Sequence, residues 1–325
     1  MKRFLTATVI ILILVPAFIV PALRPVLESI MIILAIGAMI ELFNMYDKEK
    51  IIPLGMRIFA ICLMLILYAS ILNYISDLNA TTNNWSDPIV VKALNWLHLR
   101  KILSPTVALL IIFIVFMSSL VFVKNFSIYD LGKIYISIFY VGICFASLTA
   151  LRAYGVRFII YLFAITSMTD TFALVFGLKF GKHKMAPHIS PKKTWEGAIG
   201  GTLVATIIGF CIVYLYPYYS SFFDKLAGGA GRSMEFFDDI FAYNNFKLEF
   251  GKIIYIIITT IFLSVCAQIG DLVASRLKRN FGIKDYSQIF PGHGGVLDRF
   301  DSALFAAAIF MVFILIEQQL FPFIG

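Results

Sequence analysis

Nine mostly apolar stretches, each about 20 residues long, dominate this chain: roughly 4–22, 26–45, 51–76, 103–123, 133–151, 156–178, 196–217, 252–272 and 302–323. An α-helix needs about 20 apolar residues to cross the hydrocarbon core of a bilayer. An open strand in lipid would leave its backbone polar groups unpaired, so the runs are predicted helices. The expected fold is all-α and polytopic, with about nine transmembrane helices. Composition points the same way: 60% of the 325 residues are hydrophobic, 14% are charged, and mean hydropathy is +0.90. Soluble domains carry about 25% charged residues. That gap excludes a soluble globule, a disordered chain and a disulfide-stapled scaffold. Cys62, Cys144, Cys211 and Cys266 each lie inside an apolar run without CxxC spacing. They read as small buried hydrophobes, not as zinc or redox ligands. Met1-Lys2-Arg3 before an apolar run resembles a signal peptide and is read as the start of an uncleaved first span.

Three regions follow along the chain: an N-terminal transmembrane region over 1–125, a middle one with a basic loop over 126–195, and a C-terminal one over 196–325. An odd number of spans puts the termini on opposite sides, and the bias of Lys and Arg sets the orientation. The N-terminal side holds 17 of the 27 basic residues: Lys2, Arg3, Lys48, Lys50, Arg57, Lys124, Lys133, Lys179, Lys182, Lys184, Lys192, Lys193, Arg276, Lys278, Arg279, Lys284 and Arg299. This excess predicts a cytoplasmic N-terminus and cytoplasmic basic loops. In a bacterium the membrane would be the inner one. The net charge of +8 is concentrated in two of these loops and does not call for nucleic acid. On the other side, about 77–102 and 218–250 are predicted loops with room for an interfacial helix, and neither is assigned chemistry. Asn79-Ala80-Thr81 and Asn84-Trp85-Ser86 match the glycosylation sequon, which is short enough to occur by chance.

Chemistry concentrates in two polar clusters. The first opens with Asp170, inside Ser167-Met168-Thr169-Asp170-Thr171 of the sixth run. An ionised group at that depth is costly unless it faces the protein interior or water. Neighbouring hydroxyls offer a purely structural alternative. Downstream, between Gly177 and Gly197, come Lys179, Lys182, Lys184, Ser190, Lys192, Lys193 and Thr194. Glycines admit a close backbone approach, lysines are compact point charges, and Thr194 precedes a helix N-terminus, which attracts anions. The segment suits a polyphosphate, or equally a basic loop against anionic lipid heads. It lacks the GxxxxGK[ST] spacing of a P-loop.

The second cluster runs from Gly270-Asp271 through Ser275-Arg276-Leu277-Lys278-Arg279 and Lys284-Asp285 to Pro291-Gly292-His293-Gly294-Gly295-Val296-Leu297-Asp298-Arg299-Phe300-Asp301-Ser302. If the eighth helix continues past Asp271, then Asp271, Ser275 and Lys278 share a face, and Asp298, Asp301 and Ser302 share one at the start of the ninth. Carboxylates without Cys or a second His suit a hard cation such as Mg²⁺, which takes one or two carboxylates and completes its shell with substrate phosphates. Lys278, Arg279, Lys284 and Arg299 supply charge for those phosphates, and Gly294 and Gly295 supply backbone N–H groups. Each element has a plainer reading: Asp298 and Asp301 as helix caps, Lys284 and Asp285 as a solvated pair, His293 as a turn residue. Capping alone does not require basic residues and a glycine loop on both flanks.

Ser275-Arg276-Leu277-Lys278-Arg279, Lys284-Asp285 and Pro291 to Asp301 resemble the signature of the phosphatidate cytidylyltransferases, the CDP-diacylglycerol synthases of membranes. Ser190-Pro191-Lys192-Lys193-Thr194-Trp195-Glu196-Gly197 and Asp170 resemble that family's middle region. The resemblance is specific over about 165–302, and the first 150 residues match only as apolar spans. It implies a polytopic, Mg²⁺-requiring enzyme, usually a homodimer, that converts CTP and phosphatidate to CDP-diacylglycerol and pyrophosphate. Asp271 and Asp298 would then be metal-binding carboxylates, with Asp301 as close support or a further ligand. Lys278, Arg279 and His293 would meet substrate phosphate. Ser275, Lys284, Asp285, Gly294, Gly295, Arg299 and Asp170 would line the substrate site. The loop with Lys182, Lys184, Ser190, Lys192, Lys193 and Thr194 would meet either CTP or the lipid phosphate. A CTP-dependent lipid-alcohol kinase, which would release CDP, and a transporter of anionic solutes remain the alternatives. Transporters tend to carry broken helices and repeats near the midplane, whereas these clusters lie at span ends on one side.

Overall fold

The computed structural model describes residues 16–18, 20–80, 86–124, 126–215, 246–289 and 294–320. Its helices are α1 (Arg24–Tyr46), α2 (Leu54–Leu78), the short α3 (Ile89–Trp96), α4 (Pro105–Phe122), α5 (Ile128–Tyr154), α6 (Val156–Phe180), α7 (Trp195–Tyr214), α8 (Phe246–Asn280) and α9 (Leu297–Leu320). Among the described residues, eight helices, all but α3, are long and apolar enough to cross a membrane. They answer to eight of the nine predicted runs, and the protein is an all-α, multi-pass membrane protein. Most of the first run, 4–22, lies outside the described residues, as do Asn84, His293 and 216–245 of the second long loop.

Two local differences from expectation have simple causes. The apolar pattern of the eighth run stops near 272, yet α8 continues to Asn280. Ala274, Leu277, Lys278 and Arg279 are strong helix formers, and no Gly or Pro intervenes before Gly282, which sits at φ 65°. The basic segment after α6 is not irregular. It folds into an antiparallel hairpin of β1 (Lys184–Ala186) and β2 (Ser190–Thr194). The loop over 77–102 contains α3, which buries Val91 and Leu94 and exposes Lys92 and Asn95, the pattern of a helix lying on a surface. Asn79 of the first sequon is fully buried and donates its amide to Ile75 O at 2.8 Å. The cysteines correct the sequence reading in part. Cys144 is buried, but Cys62 and Cys211 are exposed on the flanks of α2 and α7, and Cys266 is half-buried.

The chain divides into two compact units. The first combines Ala22–Ala153 with Asn280–Arg299. Its interior is apolar, around Leu27, Met31, Met39, Leu42, Tyr68 and Phe145, and is crossed by two hydroxyl pairs, Tyr46–Ser137 at 3.0 Å and Tyr68–Thr149 at 2.8 Å. At the Tyr46 end of α1, Arg57 grips both oxygens of Asp47 at 2.6 Å, and Lys133 bonds Glu49 at 2.8 Å. Lys133 also lies over the rings of Tyr46 and Phe281, at 5.9 and 5.4 Å from their centroids. These contacts fix the start of the 280–299 segment within this unit.

The second unit holds Tyr154–Arg279 and the chain from Phe300 onward. Its α6 and α7 meet along a seam of small residues. A Cβ at Gly201 would come within 2.6 Å of Thr169 O, one at Gly197 within 2.5 Å of Ala173 O, and one at Gly200 within 2.5 Å of the Phe176 ring. Without a hydrophobic drive between helices in lipid, such close backbone approach is a main source of helix affinity. Polar rungs lock α8 alongside: Thr169 donates to Ser264 at 2.8 Å, and Ser264 and Gln268 donate to Thr202 at 3.0 and 2.9 Å. Gly201→Ala is therefore expected to cost ~1–3 kcal/mol by overpacking, and Gly201→Leu to abolish recovery of folded protein. Thermal unfolding in detergent reads the effect, and an unchanged midpoint for the alanine variant would contradict the close approach.

Candidate active site

In the second unit, four elements bring charged groups together. Asp170 comes from α6, Lys193 from β2, Asp271, Ser275 and Lys278 from α8, and Asp301 and Ser302 from α9. Along β2, Lys192 is exposed, whereas Lys193 is half-buried beside buried Thr194. The Lys193 ammonium lies 2.5 Å from Asp271 Oδ2 as an ion pair, off the line of a well-formed hydrogen bond. One helical turn beyond Asp271, Ser275 donates to its Oδ1 at 3.3 Å. Ser302 Oγ stands 3.4 Å from both Asp170 Oδ2 and Asp301 Oδ1, and so sits between those carboxyls. The charges of Asp271, Lys278 and Asp170 all act on Asp301. Three carboxylates thus face two ammonium groups inside a membrane protein, an arrangement that attracts further positive charge.

The hairpin is held to α7 by its own polar contacts. Glu196 accepts the His183 N–H at 3.1 Å and pairs with His183 Nδ1 at 2.6 Å. Buried Thr194 caps α7 by accepting from Gly197 N–H at 3.2 Å. The structure thereby gives the Thr194 hydroxyl a capping task. Lys182, Lys184 and Lys192 project outward, and Ser190 opens β2 half-buried.

In the first unit, the segment before α9 is organised by two acids. Asp298 Oδ2 accepts Tyr286 N–H at 2.8 Å and Gly295 N–H at 2.9 Å. Gly294 sits at φ 84°, a conformation that disfavours a Cβ, and a Cβ there would meet Asp298 Oδ2 at 2.8 Å. The second acid is Glu41 of α1, which sequence reasoning missed. It is 1% exposed and accepts from Ser287 Oγ at 2.6 Å, Val296 N–H at 2.8 Å and Leu297 N–H at 3.0 Å. Its carboxyl supplies two of the acceptors that the first turn of α9 lacks. A Cβ at Gly295 would overlap that carboxyl, so the glycine is required by the acid behind it. Lys284, Asp285 and Arg299 are exposed here, as is Arg279 at the end of α8 in the second unit.

Among the described residues, no three His, Cys, Asp or Glu side chains form a group that could hold a metal ion. In the second unit the donors that do approach one another are all carboxylate oxygens, which suits a hard cation that draws the rest of its shell from phosphate.

The model of the cytidylyltransferase family matches residues 1–317. The chain belongs to this family. It is 32% identical over 304 residues to the phosphatidate cytidylyltransferase of Staphylococcus haemolyticus, covering 93% of this chain and 94% of that protein. It is 33% identical over 303 residues to the one from Staphylococcus epidermidis, covering 93% and 94%. Against that of Staphylococcus aureus it is 37% identical over 194 residues, 59% of this chain and 62% of the other. For a member of the cytidylyltransferase family, the matched length matters. It includes α1, where Glu41 lies, a region in which the sequence showed only apolar spans.

Proposed function

We propose that the protein transfers the cytidylyl group of CTP to phosphatidate, giving CDP-diacylglycerol and pyrophosphate. The observation that carries this reading is likeness along 93% of the chain to proteins named phosphatidate cytidylyltransferase. The attacking group is a phosphate monoester oxygen, which is largely deprotonated at pH 7 because its second pKa is near 6. No strong base is needed. The oxygen forms a bond to the α-phosphorus of CTP, the α–β anhydride bond breaks, and pyrophosphate leaves with its electron pair.

The barrier is the approach of two anions, and fixed cations offset it. Lys193 and Lys278, beside the carboxylates of the second unit, are proposed to do so. Arg279, Lys284, His293 and Arg299, with the N–H groups of Gly294 and Gly295, are proposed to meet the remaining phosphate oxygens. Asp271, supported by Asp301 and by Asp170 through Ser302, is proposed to hold Mg²⁺. The resemblance assigns Asp298 a metal-binding role as well. When bound, the ion supplies charge neutralisation and orients the triphosphate. We place the basic loops on the cytoplasmic face, where CTP is, and infer a homodimer.

Purified protein, CTP labelled at the α-phosphate and phosphatidate test the reading together. Label is expected in the lipid fraction with one pyrophosphate per lipid, and chelation of divalent ions is expected to cut the rate at least about a hundredfold. Release of CDP with phosphorylated lipid would replace the reading with phosphotransfer. Uptake of solute by sealed vesicles without CTP consumption would replace it with transport.

A further inference from the structure

Within the first unit, α1 carries Glu41 and Tyr46 toward one end and Arg24 and Glu28 at the other, about 30 Å away at a rise of about 1.5 Å per residue. The Arg24 end has its own charged cluster. Arg24 Nε bonds Glu28 Oε1 at 2.7 Å, and its Nη2 donates to Ser86 O at 2.6 Å. Glu28 Oε2 accepts the first N–H of α3, from Ile89, at 2.6 Å. Arg152, in the last turn of α5, is 6% exposed, and the charges of Arg24 and Glu28 both act on it. Yet among the described residues its buried Nε and Nη2 have no hydrogen-bond partner.

The acids nearby are already engaged. Each oxygen of Glu28 already accepts one hydrogen bond, and Asp77 and Asp87 are bonded by Arg100 at 3.1 and 2.7 Å. A buried donor left unpaired costs about 1–3 kcal/mol, more when charged. A guanidinium offers its donors in a planar fork that matches two oxygens of a tetrahedral oxyanion, and a second arginine beside it raises the local potential further.

We propose that Arg152, backed by Arg24, forms a further oxyanion site at this end of the first unit, one that takes a phosphate group. The position at the ends of membrane-spanning helices admits two sources: a phospholipid head group or free phosphate. The site plays no part in the reaction proposed above and does not depend on it.

Full-length protein, delipidated in detergent, is titrated with inorganic phosphate in one arm and with dioleoylphosphatidylglycerol in the other. The thermal midpoint is read for the parent, Arg152→Gln and Arg152→Lys. The parent is expected to gain about 4 °C in at least one arm. Arg152→Gln is expected to lose that gain while keeping its turnover, and Arg152→Lys, which has charge but no fork, to keep less than half of it. A gain with the lipid alone assigns a head-group site, and a gain with phosphate as well assigns a general phosphate site. No gain in either arm, or an equal gain in Arg152→Gln, overturns the proposal.

Discussion

Asp271→Asn is expected to lower transfer of label from CTP into lipid by about a thousandfold, in a variant that inserts and purifies like the parent. Asp271 is the best-connected acid of its unit: it pairs with Lys193 at 2.5 Å, accepts from Ser275 at 3.3 Å, and acts electrostatically on Asp170 and Asp301. Neutralising it removes the charge proposed to hold Mg²⁺. It also relieves repulsion among three carboxylates, so the thermal midpoint should hold or rise. Turnover within about tenfold of the parent in saturating Mg²⁺ would retire the assignment. Asp298→Asn is expected to abolish transfer as well, but with a lower midpoint, because Asp298 Oδ2 also secures Tyr286 N–H and Gly295 N–H. The two variants are told apart by stability, not by rate.

Glu41→Ala is expected to cost about 1–3 kcal/mol for each donor it strands and most of the activity, although Glu41 touches no substrate in the proposed reaction. The substitution strands the Ser287 hydroxyl and the N–H groups of Val296 and Leu297 in a buried setting. Glu41→Gln keeps one carbonyl acceptor and should recover part of both losses. Turnover and KM for CTP measured below the midpoint of each variant separate positioning from simple loss of fold. A positioning role raises KM or lowers kcat in protein that is still folded, whereas a purely structural role leaves both unchanged there. Gly295→Ala, whose Cβ would overlap the same carboxyl, should reproduce the defect from the other side of the contact.

Much of the fold was legible because lipid imposes one length and one polarity on every crossing segment. The runs near 26–45, 156–178 and 302–323 correspond to α1, α6 and α9. The shared face of Asp271, Ser275 and Lys278 followed from extending the eighth helix, and α8 does extend. The hairpin was not legible. Two prolines and a string of lysines look like loop, and only the pairing of Lys184 with Thr194 and of Ala186 with Ser190 shows otherwise. That strand leaves Lys192 exposed and brings Lys193 to Asp271, a distinction invisible in the sequence. Glu41 escaped because its partners lie about 250 positions downstream and its own run is mostly apolar. The signal was present nonetheless: an acid inside a membrane span is costly unless it faces the protein interior, and within one turn of it only Asn44 is polar.

The contact between Glu41 and the glycine segment also constrains how such enzymes can be recombined. The first spans look like interchangeable anchors, yet one of them carries the peg on which the signature loop hangs. A chimera that borrows its front third from a distant relative should work only if the donor brings a matching acid at that depth, and grafting the peg alone should revive one that does not.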